Sequence, residues 1–405
     1  MKTNGIDGIC SMSSLISWLD ASSAETTRMR EIVRLFEMPE SIDDLALGQF
    51  RDSISNSLFP GTSVLHVAAR YLLLVPWCIQ AAGNAKSGEL IRVGGEQNER
   101  KLIRRFNELE LDRFIGRFAG ERIAQLPSAA YWSALRKWGI VRDDVERSTV
   151  GDAMLDETSA RRDGLPYEPV WNSSMPRMPE GFPGAEEFGM ELNRDEAEWI
   201  RDRVLTEVPG TLLAQLLAKP QRILKNSYAP WADPSSENAT GEAAVWLSHG
   251  EAYSALQYGL DAVYAYIVTA EARNRFEPDA ESPDTVLLDK WHANDYYQRL
   301  LRGWDISDFV AMATEVNPRI QQHSIVFLKR AVVEFQSSGM HPAANDTLHR
   351  MVREREKRAK GANSRFVNEG RLRAWERPAV INRQTFRWNQ VRTMVLDVKE
   401  GLSHA

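Results

Sequence analysis

Apolar residues recur at spacings of three and four along most of this chain, the period of one face of an α-helix. Met29, Ile32, Val33 and Phe36 follow that rule behind Ser22 and Glu25, a capping-box pair. Pro60-Gly61 reads as a turn, and Thr62 or Ser63 as the cap of a helix carrying Leu65 through Trp77. Leu102, Ile103, Phe106, Leu109 and Phe114 mark another helix, with Arg104 and Arg105 facing solvent. Pro127-Ser128 opens a short helix bearing Tyr131, Leu135 and Trp138. Gly139 stands where a left-handed cap belongs, and Ile140 supplies the apolar residue after it. Such a helix and turn occurs in winged-helix modules and equally in ordinary helical proteins.

Five prolines interrupt the pattern between Leu165 and Gly184, so this stretch reads as a long ordered loop or interdomain linker. Trp171 inside it predicts that it is packed. Beyond it Asn193 and Glu196 form a second capping box before Trp199, Ile200 and Val204. Thr211 to Lys219 is a short apolar helix stopped by Pro220. A long helix is expected from about Glu242 to Arg275, with Leu256, Leu260, Val263, Tyr264 and Ile267 on one side. Asp284 to Leu301 and Arg319 to Phe335 follow. No hairpin signal stands between alternating runs, and at most short strands join Val141 or Val170. The expected fold is therefore mainly α: two helical lobes (residues 1–164 and 185–340) joined by a Pro-rich linker (165–184), then a basic helical segment (341–405). A small winged-helix-like element around Trp138–Ile140 is the optional part of that expectation.

Composition narrows the class. The chain has 405 residues, 43% apolar and 26% charged, which excludes collagen, disordered tails and membrane proteins. The longest apolar run, Tyr71 to Ala82, is far short of the ~20 residues needed to span hydrocarbon. It reads as a buried helix kinked at Pro76. No signal peptide is recognisable, and Cys10 and Cys78 alone cannot form a disulfide scaffold or a multi-thiolate zinc site. A cytoplasmic location is expected, with no membrane partner.

Charge changes the picture more. The whole chain carries −6, yet residues 341–405 hold 14 Lys and Arg against 7 Asp and Glu. Arg350, Arg353, Lys357 and Lys360 lie at offsets of 0, 3, 7 and 10, on one helical stripe less than a quarter-turn wide. Phosphates of DNA or RNA would neutralise such a stripe with release of counterions. A face neutralised by Glu354 and Glu356, or turned to a protein partner, is the alternative. Arg365, Arg371 and Arg373, with Trp375, continue the mixture of cations and aromatics that suits phosphate contact with stacking.

Catalytic motifs are scarce. Gly83 and Gly88 have Walker spacing but are followed by Glu89 and Leu90, where that loop needs lysine and a hydroxyl. Asp397-Val-Lys399 and Glu99-Arg-Lys101 match the end of a metal-dependent nuclease motif but fall in expected helices, so a surface charge pair is the plainer reading. His249 and Glu251 form a conceivable acid–base pair, against a cap or core histidine. Neither a catalytic residue, a metal site nor a cofactor is assigned.

Several phrases together resemble a known family: Ser17-Trp18-Leu19-Asp20, Leu58 to Ser63 continuing into Ala69-Arg70-Tyr71 and Val75-Pro76-Trp77, Tyr131-Trp132 with Trp138-Gly139-Ile140, and Phe386-Arg387-Trp388 leading to Asp397. They are similar to an uncharacterised bacterial domain-of-unknown-function family of about this length, across nearly the whole chain from Met12. The resemblance implies a place in antiviral defence islands, beside helicase or phospholipase D-type nuclease genes, and carries over no catalytic residue. His66 departs from the pattern. The expectation is a non-enzymatic defence component that binds nucleic acid or a helicase–nuclease partner. A new metal-dependent nuclease, using acids such as Glu251, Asp289 and Asp397, and a purely structural scaffold are the alternatives.

Overall fold

In a computed structural model that describes residues 43–184, 189–337 and 339–404, many of the helices begin where a side chain satisfies the first free amides. The Ser22–Glu25 pair, the Met29–Phe36 pattern, Cys10 and the Ser17–Asp20 phrase lie outside those residues. Asp43 accepts from the amides of Leu47 and Gly48 (2.7 and 2.8 Å) ahead of α1 (Gly48–Leu58), which buries Phe50, Ile54 and Leu58. Helix α2 (Tyr71–Gln80) starts later than its pattern predicts. Thr62 donates its hydroxyl to the Phe59 carbonyl (2.7 Å) and Ser63 accepts from Leu65 (3.2 Å), so both expected caps close turns instead. Every residue from Tyr71 to Ile79, Pro76 included, is buried.

Helix α3 (Gly88–Glu108) is capped by Ser87, and α4 (Pro127–Lys137) is capped from outside, by the Glu99 carboxylate on the Ser128 amide (2.7 Å). The C-terminus of α4 closes as expected. Gly139 has φ +59°, its amide reaches Arg136 O (3.0 Å), and the Ile140 amide reaches Leu135 O (2.8 Å), the double bond of a Schellman turn. The Val150–Arg162 helix, α5, crosses α3 at Gly88 and Gly151. A Cβ on Gly151 would stand 2.0 Å from the Gly88 carbonyl, so one glycine of the false phosphate loop allows two backbones to touch.

Residues 165–184 form no helix but are packed. Val170, Trp171 and Phe182 are buried, Trp77 donates to the Pro176 carbonyl (3.0 Å), and Val141 and Trp171 share a single antiparallel bridge. Among the described residues there is no strand, and no hairpin accompanies the Gly139 turn.

Both bonds of the Asn193–Glu196 capping box are present at α6 (Arg194–Glu207), and Thr211 caps α7 (Leu212–Ala218). Next comes α8 (Gly241–Phe276), 36 residues and therefore about 54 Å long. Its buried residues surround it, because α1, α9 (Val286–His292), α10 (Asp295–Gly303) and two later helices, Asp346–Lys360 and Glu369–Arg373, all pack on it. The expected Asp284–Leu301 helix is broken at Asn294, whose side chain accepts from Tyr296 and Tyr297 to start α10. Asp305 likewise starts α11 (Ile306–Val316). Then come α12 (Gln322–Ser337), α13 (Asp346–Lys360), α14 (Glu369–Arg373) and α15 (Trp388–Ser403), which covers α6 and α7. The fold is mainly α, and one hydrophobic cluster extends from Leu45 to Val398. No helix among the described residues is long and apolar enough to cross a membrane.

Candidate nucleic-acid interface

Helix α13, capped by Asn345 on the Leu348 amide, turns Leu348, Met351 and Val352 into the core at helical spacing. The next two positions on that face are Arg355 and Glu356, and both are buried. Glu356 is fully compensated: it accepts from the Ser364 hydroxyl, the Arg365 amide (3.0 Å) and Tyr264 Oη (3.4 Å), with Lys360 at 3.7 Å. Arg355 is not. Its Nε donates to Leu45 O (2.7 Å) and its Nη2 to Ala46 O (2.7 Å) and Ser324 Oγ (2.8 Å). These acceptors are neutral, Nη1 has no partner among the described residues, and only 4% of the residue is exposed. A buried cation with no carboxylate paired to it is costly. Burial lowers the Arg355 pKa, the Asp43 carboxylate opposes it in part, and the neighbouring charge of Arg358 adds to the lowering.

Arg355 lies in the wall of an open cavity of 390 Å³ between α12 and α13. Arg330, Lys357, Arg358 and His323 line the same recess, and Glu354 is the acid among them. Arg330, Lys357 and Arg358 have no acidic partner among the described residues. Desolvation and then the charges of Arg355 and Arg358 hold His323 below its usual pKa. The recess therefore concentrates positive charge around one desolvated guanidinium, an arrangement complementary to a phosphate-sized anion.

The residues expected from the stripe divide between free and compensated. Arg350 and Lys357 are exposed. Arg353 pairs with Glu271 (3.1 Å) and lies 5.1 Å from the Phe366 ring centre. Lys360 pairs with Asp44. Arg365 also pairs with Asp44 (2.7 Å) and stacks on Trp375 (4.8 Å). Burial alone would raise the Asp44 pKa, but Lys360 and Arg365 hold it below the usual value. Arg371 is exposed, while Arg373 pairs with Glu369 (2.9 Å) over the Phe276 ring (4.0 Å).

The acids weighed for nuclease chemistry go separate ways. Asp397 accepts from the Ala69 amide (2.9 Å) and Arg113 (2.8 Å), Glu251 from the Tyr296 hydroxyl, and Asp289 from Thr285 (2.9 Å). His249 is a core histidine, donating from Nε2 to Asp308 (3.1 Å) and accepting from Trp304 (3.0 Å). Among the described residues no group of three His, Cys, Asp or Glu is placed to hold a metal ion.

A family model covering residues 12–399 matches this sequence. The chain belongs to the family of unknown function DUF6361. No curated protein and no solved structure matches it.

Sequence reasoning missed Arg355, Arg330 and Arg358, although a signal for Arg355 existed: a charge at a core position of an amphipathic helix. It also missed Asp261 on α8. This carboxyl lines a neighbouring 240 Å³ cavity with Asp44, Tyr264, Arg365 and Trp375. Burial pushes its pKa up to about 8, with Asp44 and Asp43 adding to the effect against the hydrogen bond from Gln257.

Proposed function

We propose that the α12–α13 face binds the phosphate backbone of nucleic acid, and that the protein serves as a non-enzymatic binding component of a bacterial antiphage defence system. The observation that carries this reading is the uncompensated Arg355 beside the free cations Arg330, Lys357 and Arg358. A phosphate supplies the missing counter-charge, and each neutralised phosphate releases counterions. The dispersal of Glu251, Asp289 and Asp397 to separate partners favours binding over metal-dependent cleavage. In this reading residues 341–405 supply most of the binding module and α12, at the end of the 185–340 lobe, supplies its other wall with Arg330; the lobes at 1–164 and 185–340 lie about the 165–184 linker. The protein acts in the cytoplasm, and a helicase or phospholipase D-type nuclease supplies the chemistry.

The test is fluorescence anisotropy with duplex and single-stranded DNA and RNA across a salt series, on the full chain and on the triple variant R330Q/K357Q/R358Q. Three lost charges should flatten the slope of log affinity against log salt by about 2.7 for duplex DNA and about 2 for single strands. Unchanged slopes would remove the proposal.

A further inference from the structure

A second recess, sharing no residue with the one between α12 and α13, opens where α8, α10 and the start of α15 meet the segment leading into α15. Its volume is 450 Å³. Tyr228, Tyr258 and Tyr297 form aromatic walls, the last two edge to face at 5.9 Å. Arg383 lies across them, its guanidinium 4.2 Å from the Tyr228 ring centre, with Nη1 donating to Tyr297 Oη at 2.7 Å. No carboxylate pairs with Arg383 among the described residues, and its Nε and Nη2 have no protein acceptor there. Two donors of a rigid fork are thus left open beside aromatic neighbours; the Glu251 carboxylate feels the Arg383 charge and offsets part of it without pairing with the fork, which stays available for bidentate phosphate recognition. The exposed amide of Asn382 and the carbonyl end of Gln390, whose Nε2 is taken by Val64 O (3.2 Å), add groups able to meet the edge of a heterocycle. The recess also borders the first turn of α15, where the helix dipole favours negative charge.

We infer that this recess binds a nucleoside phosphate, the base against the tyrosine faces and the phosphate on the Arg383 fork. The common chemistry, a planar base with an adjoining phosphate, comes either as a free mononucleotide or as the 5′-phosphorylated end of a strand. Neither source needs the α12–α13 face.

Isothermal titration of the full chain with AMP, adenosine, inorganic phosphate and a short oligonucleotide, with and without a 5′-phosphate, tests this. AMP should bind clearly more tightly than adenosine or inorganic phosphate. R383K, which keeps the charge and loses the fork, and R383Q should each weaken AMP by about tenfold or more. Y228A should weaken it by about tenfold through lost stacking, and Tyr228 is half exposed, so this variant leaves the core intact. A phosphorylated oligonucleotide that outbinds AMP assigns the site to strand ends; equal or weaker binding assigns it to free nucleotides. The R330Q/K357Q/R358Q variant should bind AMP as the parent does, and R383Q should keep the parent salt slope on duplex, so the two readings fail separately. No AMP binding at millimolar concentration, inorganic phosphate as tight as AMP, or AMP affinity unchanged in both R383Q and Y228A would overturn the inference.

Discussion

Replacing Glu99 by glutamine should stabilise the protein in alkaline solution and leave it nearly unchanged in acid. Glu99 is 2% exposed, and its carboxyl accepts the Ser128 amide at the start of α4. Burial pushes its pKa from 4.5 to about 7, against the hydrogen bonds from Ser128 that favour the charged form. The folded state therefore holds this proton more tightly than the unfolded chain. The stability that the proton confers is complete below about pH 4.5, declines as pH rises, and is gone above about pH 7. A difference of about 2.5 units corresponds to roughly 3 kcal/mol. Glutamine keeps a carbonyl oxygen for the Ser128 amide and has no charge to desolvate, so E99Q should escape that decline. At about 2.1 cal/mol/K of unfolding entropy per residue, 3 kcal/mol moves Tm by about 3–4 °C in a chain of 405 residues. Scanning calorimetry at pH 5 and pH 8 reads this directly. An E99Q protein that melts below the parent by the same margin at both pH values would show that Glu99 is ionised and compensated in the folded state.

The double variant R353Q/K360Q should cost about 1–2 kcal/mol, mostly through Lys360, because Arg353 is more than a third exposed and screened. It should leave the DNA salt slope as it is, since Glu271 and Asp44 already neutralise these cations; a flattened slope would return them to the interface. G139A forces a non-glycine residue to φ +59° with its Cβ 2.6 Å from Arg203 Nη2, and should lower stability by about 1–2 kcal/mol in urea unfolding. His66, with Nε2 donating to Ala130 O (3.1 Å), has its pKa pushed down to about 4, mainly by burial. Its contribution should be lost as pH falls from 6.5 toward 4, by roughly 3 kcal/mol, and H66Q should remove that acid limb of the stability profile.

What the sequence made legible was short-range. The Asn193–Glu196 box, the short helix beginning at Thr211 and the Gly139-Ile140 turn each join residues a few positions apart, so their geometry is written in spacing. Misjudged boundaries came from polar residues with several local uses: Thr62 and Ser63 close turns, and Asn294 starts a helix inside what looked like one. The stripe expected at Arg350, Arg353, Lys357 and Lys360 lies on α13, and its charges divide between paired and unpaired. Two of its four charges meet Glu271 and Asp44, which lie 82 and 316 positions away in the chain. No local pattern reveals such partners, nor that the guanidinium on the opposite, core-directed side would be the one left uncompensated. In the sequence Arg383 is one more cation of the basic tail; only the fold sets it between Tyr228 and Tyr297.

The bond between the Ala69 amide and Asp397 spans 328 residues, and the same last helix, α15, lies over α6 and α7. On the ribosome this imposes a wait. At about 5–20 residues per second, roughly a quarter of a minute to a minute passes between synthesis of Ala69 and of its acceptor. Once α7 is complete, α6 and α7 present the apolar faces that α15 will cover only about 185 residues later, after roughly 9–37 s. The nascent chain therefore offers a hydrophobic surface during the later part of its synthesis, a natural point of attachment for chaperones, until α15 emerges and covers it.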